Sequence, residues 1–193
     1  MQSLHLVIIG AGAYVCGRGT EGYGTIMPAV LEWSRQAPVR GVEIVGTDPQ
    51  GLRQTRSKVE ALQQRLGVRL PVRYWPQGQA REAACYRDVL AQTRGPAAVL
   101  VVVPDDLHRP VAGAALEYGW PTLVVKPLTP TVQEAEELIA LQREHHGYGV
   151  VDFHKRWDRA NLYLKDLIAS GRLGDPLSVL VQYSQRRSVP SRQ

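Results

Sequence analysis

The chain has 193 residues, 44% of them hydrophobic and 21% charged, enough to bury one good core and to begin a second domain. No apolar stretch approaches the ~20 residues of a membrane span, and the first apolar run lacks the basic flank of a secretion signal, so a cytoplasmic location is expected. The net charge of +5 is confined to the end: residues 1–154 hold 15 basic and 15 acidic residues, whereas 155–193 hold eight basic against three acidic.

Strand-like and helix-like segments alternate along the first three quarters of the chain. Leu4-His5-Leu6-Val7-Ile8-Ile9 reads as a strand and leads into glycines at 10, 12, 17, 19, 22 and 24. A helix is expected from Thr25 to Arg35, with Ile26, Val30, Leu31 and Trp33 giving it a broad apolar face. Val42–Gly46 is a second strand. A helix from Gln50 to Leu66 follows, carrying Leu52, Val59, Leu62 and Leu66, with Gly67 as its terminator. Val72–Trp75 is a short third strand, and Glu82–Gln92 a helix. Ala97–Val103 is apolar on both faces, as a central parallel strand covered by helices should be. The segment Leu107–Tyr118 is helical and Thr122–Val125 a strand. Thr131 and Glu134 then form a capping box for a helix to His145, and Gly149–Phe153 completes the series. Repeated βα units of this length predict an α/β fold, a doubly wound parallel sheet of the Rossmann type, over residues 1–153.

Beyond residue 153 the pattern changes. Asp158–Ser170 is a helix with Leu162, Leu164, Leu167 and Ile168. A turn over residues 171–176 then precedes an alternating segment, Leu177–Tyr183, expected to be a strand with one solvated face. Residues 154–193 thus read as the first helix and strand of an incomplete α+β domain. A lone strand cannot satisfy its edges, so either another chain completes it or the sequence belongs to a longer protein. The basic residues of this region are scattered without aromatic platforms, which predicts a solvated face rather than a nucleic-acid-binding arm.

The glycines carry the first functional signal. A strand, glycines and a helix bring bare N–H groups to a phosphate. Gly10 and Gly12 fit the first two positions of G-x-G-x-x-G, with Ala13 and Tyr14 following, but Val15 stands at the third. A glycine-rich loop without a ligand is the alternative. Asp48, at the end of the second strand, can accept from an adenosine ribose and repel a 2′-phosphate, which favours NAD over NADP; a plain turn residue before Pro49 is the alternative. Asp48 lies 36 residues after Gly12 and 24 after Gly24, against the usual interval of about 20. An insertion of roughly ten residues in the first βα turn is therefore expected. In that arrangement Gly22 and Gly24 would make the close approach to phosphate. Pro104-Asp105-Asp106-Leu107-His108 follows the central strand at the edge where open α/β sheets bind ligands, although Asp105 or Asp106 could equally cap the next helix. Lys126-Pro127 closes the next strand at the same edge, where a lysine can hold a substrate hydroxyl. Cys16 and Cys85 have no metal-ligand spacing and read as free thiols, and no metal site is expected.

Three stretches together resemble the Gfo/Idh/MocA family of nicotinamide-dependent sugar and cyclitol oxidoreductases. They are Val102–His108, Val124–Leu128 with the helix Thr131–Leu141, and Phe153–Trp157 with Leu167–Pro176. The resemblance implies that Pro104 and His108 line the cofactor crevice, that Lys126 stands at the reacting centre, and that a substrate domain follows the sixth strand. It implies a small sugar-like substrate and a homo-oligomer in the intact protein. Val125 replaces the family's usual glutamate, and the family's Asp-x-x-x-His element is absent. Lys126 is then left without its usual proton acceptor. The expectation is a truncated oxidoreductase that binds dinucleotide and turns over poorly, the alternative being a non-catalytic NAD(H)-binding module or a subunit completed by a partner chain.

Overall fold

The structure, a computed structural model, describes residues 3–184. The chain divides into two compact units, residues 1–152 and a second unit that starts at Phe153. The first unit holds six parallel strands in the order β3-β2-β1-β4-β5-β6. They are β1 (Leu4–Ile9), β2 (Val39–Val45), β3 (Val72–Trp75), β4 (Ala97–Val101), β5 (Thr122–Val125) and β6 (Gly149–Asp152). The order reverses between β1 and β4, which is where open α/β sheets form their ligand crevice.

The apolar runs of β1 and β4, and the burial of Val42–Val45 in β2, follow from cover on both faces. Leu6, Ile8, Val42 and Ile44 face a core built with α1 (Ala13–Cys16), α2 (Ile26–Trp33) and α3 (Pro49–Leu66). Val7, Ile9, Val45, Val99 and Val101 face the opposite core, built with α4 (Cys85–Gln92), α5 (His108–Glu117) and α6 (Val132–Glu144). Glu43 is buried in the sheet because three donors reach its carboxylate, from His5, Arg73 and Trp75 on the same face. Thr131 caps α6 through the expected box with Glu134.

The sequence missed the single helical turn α1, which starts immediately after Gly12. The insertion therefore lies after that turn and before α2, instead of before any helix. In the second unit, α7 (Arg159–Ala169) forms on Asp158, whose carboxylate accepts from the Ala160 N–H at 3.0 Å. The strand expected at Leu177–Tyr183 is not formed. Alternation alone does not make a strand when no neighbouring backbone supplies a ladder, and Leu177 and Leu180 are 98% and 97% exposed. The basic residues Arg186, Arg187 and Arg192 lie outside the described residues.

Gly10 sets how β1 ends. Its φ is +131°, and a Cβ there would come within 2.0 Å of the Val102 carbonyl oxygen. Gly10→Ala combines left-handed strain with a backbone clash that no side chain can relieve. It is expected to destabilise the protein by about 3 kcal/mol or more, read as a drop in urea midpoint.

Candidate functional site

Parallel strands place every chain exit on one edge. That edge gathers Gly10–Tyr14 after β1, Asp48 after β2, Pro104 after β4, and Lys126-Pro127 after β5. Gly10 N–H donates to the Val45 carbonyl at 2.7 Å and Val102 N–H donates to the Ile9 carbonyl at 2.8 Å, so the three strand ends are tied together.

Gly12 opens α1 with φ −92° and ψ −163°, angles that any residue adopts. A Cβ built on it meets no protein atom within 4 Å. Neither backbone strain nor packing within the described residues calls for glycine here. The space in front of it adjoins the N–H groups of α1's first turn, with exposed Ala13 and Tyr14 behind. Val15, in the place of the motif's third glycine, is fully buried in the core. Burial, the Asp152 charge and an opposing hydrogen bond with Thr25 leave the Tyr14 phenol above its ordinary pKa.

Gly22 and Gly24 are placed differently from expectation. A Cβ on Gly24 would lie 2.6 Å from the Ala13 carbonyl and 2.7 Å from the Gly17 nitrogen, so its close approach is to the chain's own α1. Gly22 presents its carbonyl to Gly17, where an added Cβ would stand 2.0 Å away. The loop is closed further by Thr25 N–H on the Tyr14 carbonyl at 2.8 Å, and by Lys58, whose Nζ donates to the Thr20 and Gly22 carbonyls at 2.8 and 3.1 Å. These two glycines shape the insertion, and the open N–H groups belong to Gly12 and the residues after it.

Asp48 caps α3. Its two carboxylate oxygens accept from Gln50 N–H at 3.1 Å and Gly51 N–H at 2.9 Å. The Gly51 and then the Gln50 hydrogen bond, aided by the charges of Arg18 and Arg81, hold its carboxyl below the usual aspartate range. Capping leaves lone pairs on both oxygens. Asp105 and Asp106, by contrast, make no capping hydrogen bond.

His108 is fully buried. Its Nδ1 lies 2.7 Å from the Pro127 carbonyl and its Nε2 3.0 Å from the Val103 carbonyl. A neutral ring donates its one N–H to one of these two carbonyls and packs against the other, so His108 stands between the β4 exit and the Lys126-Pro127 turn. Pro104 and Lys126 are exposed, and Lys126 makes no ion pair or hydrogen bond among the described residues. Thr55 was missed from sequence. On the buried stripe of α3, its hydroxyl donates to the Ala11 carbonyl at 2.8 Å and fixes the glycine turn; its signal was a polar residue between Leu52 and Val59 at helical spacing. Among the described residues no cluster of His, Cys, Asp or Glu forms that would hold a metal ion. Both cysteines are free and buried, and burial pushes the Cys85 thiol up to about 11.

The family model of an oxidoreductase family with an NAD-binding Rossmann fold matches residues 4–153. The chain belongs to the Gfo/Idh/MocA oxidoreductases. Similar members include an uncharacterized oxidoreductase, YdgJ, of Escherichia coli K12, 42% identical over 77 residues, which are 40% of this chain and 22% of that protein. An inositol 2-dehydrogenase of Corynebacterium glutamicum strain R is 37% identical over 81 residues, 42% of this chain and 24% of that protein. The matched stretches thus span about a quarter of these curated relatives' length. The fold is shared with scyllo-inositol dehydrogenase from Lactobacillus casei, solved with NAD(H) and scyllo-inositol, at a TM-score of 0.63 and 18% identity over 90% of this chain and 43% of that one. As a Gfo/Idh/MocA protein the chain carries an NAD-binding Rossmann domain, and among the described residues no helix is long and apolar enough to cross a membrane.

Two predictions follow from this geometry. His108→Ala removes a fully buried ring and takes the donor from one of two backbone carbonyls, so a loss of about 2–4 kcal/mol in denaturant unfolding is expected. Asp48 has a lowered pKa in the folded state, so its contribution to stability is full above the unfolded aspartate pKa and is lost as pH falls through the lower, folded value. The Tm difference between wild type and Asp48→Ala should accordingly be present at pH 7 and shrink in acid below the ordinary aspartate range, as thermal scans across pH will show.

Proposed function

We propose that this chain binds a nicotinamide dinucleotide along the carboxyl edge of its sheet and serves hydride transfer to or from a small sugar or cyclitol. Gly12 carries the reading. It is a glycine that packing among the described residues does not require, in front of open space and of N–H groups that a first helical turn leaves without intrahelical partners, which is the cradle a pyrophosphate fills and a Cβ would obstruct. In this reading Gly10, Gly12, Ala13 and Tyr14 hold the pyrophosphate, Asp48 offers its remaining lone pairs to the adenosine ribose, and Pro104 and Pro127 flank the crevice. When bound, the nicotinamide supplies the hydride chemistry.

The chain's own residues supply position and charge. The open-edged strands bring Lys126 to the carboxyl end of β5, and His108 fixes the backbone on which it stands. An exposed ammonium without a partner among the described residues can donate to a substrate hydroxyl and stabilise negative charge growing on that oxygen. The relatives named for inositol and the structure holding NAD(H) and scyllo-inositol support cyclitols and sugars as the substrate class. A cytoplasmic protein that assembles with copies of itself fits the same reading.

Calorimetric titration tests it. The wild-type chain is expected to bind NAD+, and Gly12→Val to weaken that binding about tenfold or more at temperatures where thermal scans show the variant still folded, since a Cβ there meets no protein atom within 4 Å. Polyol-dependent NADH formation should fall about 100-fold in Lys126→Met with NAD+ affinity retained. Equal NAD+ affinity in wild type and Gly12→Val would overturn the assignment of the cradle.

A further inference from the structure

The opposite edge of the sheet, where the strands begin, holds a second concentration of charge. An open cleft of about 380 Å³ lies there, lined by the C-terminal end of α4 and by β1, β2 and β3. Strand register builds its floor. His5 pairs with Gly41 and Glu43 with Arg73, so these four residues share the face on which Val45 meets α4 farther along. Gly41 leaves the floor open beside the His5 ring, since a Cβ there would stand 3.7 Å from that ring and 3.3 Å from the Pro71 carbonyl oxygen. Glu43 is the one acidic residue of the lining, and its carboxylate is buried. His5 Nε2 lies 3.1 Å from it, and Arg73 and Trp75 donate to it at 2.5 Å each. Two further guanidinium groups, those of Arg40 and Arg94, line the same space. Arg40 donates to the Arg94 carbonyl, and Arg94 donates to the Ala91 and Thr93 carbonyls at 2.5 and 2.8 Å. Neither has a carboxylate partner among the described residues.

Three arginines against one engaged carboxylate leave the cleft with surplus positive charge. The negative end of α4 does not cancel it, because Arg94 covers the Ala91 and Thr93 carbonyls there. A guanidinium has five N–H donors in a planar fork, so the bonds that hold Arg40 and Arg94 in place leave each with donors for a ligand. That fork matches the paired oxygens of a phosphate. The cleft has room for more than a bare anion, and Gln92 in its lining offers an amide to hydroxyl groups. We propose that this cleft is a second ligand site, which takes a small phosphate monoester. Arg40 and Arg94 hold the phosphate, Arg73, fixed by Glu43, adds its charge, and Gln92 meets the hydroxyls of the alcohol part. The site lies at the far ends of the strands from Gly12 and Lys126, and it needs no dinucleotide.

Titration of the full chain, labelled with nitrogen-15, against glycerol 3-phosphate tests it through amide NMR shifts. Glycerol serves as the neutral control and inorganic phosphate as the bare anion. Saturable shifts are expected at Gly41, Arg73, Thr93, Arg94 and Gly95, with or without NAD+ present, and none with glycerol. Inorganic phosphate should bind at the same residues about threefold or more weaker than the ester. Arg40→Ala and Arg94→Ala should each weaken glycerol 3-phosphate about fivefold or more, at temperatures where thermal scans show the variants folded. The shift map of the wild type decides the location without either variant. Shifts that saturate only at Gly10–Tyr14 would place phosphate binding on the other edge and overturn the proposal. The absence of saturable shifts up to about 10 mM ester would do the same. Folded arginine variants that bind as tightly as wild type would overturn the role given to the guanidinium groups, and inorganic phosphate binding as tightly as the ester would overturn the choice of a monoester.

Discussion

Where β1 ends, the backbone must pass under the carbonyl of Val102 with no room for a side chain, and the rest of the site depends on that passage. Gly10 satisfies it with a φ of +131°. The turn that results is fixed from both sides: Gly10 donates to β2 through Val45, and Ile9 accepts from Val102 beyond β4. The crevice at the reversal of strand order is thus a consequence of three strand ends brought to one close contact. Gly12 and the first N–H groups of α1 face outward because Gly10 has already turned the chain. Thr55, donating to the Ala11 carbonyl from α3, keeps that turn from relaxing.

The same logic of backbone held by buried side chains recurs across the crevice. His108 engages the Val103 and Pro127 carbonyls from within the core. A loop carbonyl so close to an apolar interior would cost about 1–3 kcal/mol if left without a donor, and the ring's one N–H serves one of the two. The histidine therefore does its work one layer behind the exposed residues. It sets the relative position of Pro104 and Lys126 and needs no contact with a ligand to do so. Two exits of the sheet that differ in sequence are in this way made one rigid rim.

Most of the sheet was legible because burial on both faces leaves a plain sequence trace. The apolar runs of β1 and β4, and helical spacing of Leu52, Val59 and Leu62, need no tertiary information to be read. What could not be read depended on contacts distant in sequence. The α1 turn is four residues long, too short for periodicity to show. His108 looks the same in sequence whether it faces a crevice or two buried carbonyls. The alternation of Leu177–Tyr183 resembles that of any half-solvated strand, yet a strand exists only as a member of a ladder. Gly22 and Gly24 show the same limit: glycine reports a close approach, and only the structure says whether the approaching atom belongs to a ligand or to the chain.

The insertion illustrates how a family scaffold changes without disturbing its core. Its ends are tied at Gly17, Gly24 and Thr25 to the backbone of α1, and its middle is gripped by Lys58 from α3. Tyr23 packs on the core, and Lys58 and Arg65 lie over its ring. The loop is held by hydrogen bonds of its own, from Thr20 to Gly17 and from Gly22 to Thr20, and by Lys58 of α3. It is also positioned with some precision, since α3 both grips it and is capped by Asp48. A side chain on such a loop arrives beside the end of β2 from a direction that the usual short turn does not offer. That is why Arg18 can stand next to the Asp48 carboxylate without pairing with it. Helix capping orients the carboxylate oxygens toward α3 and loop closure engages the lysine, while among the described residues the guanidinium has no hydrogen bond or ion pair.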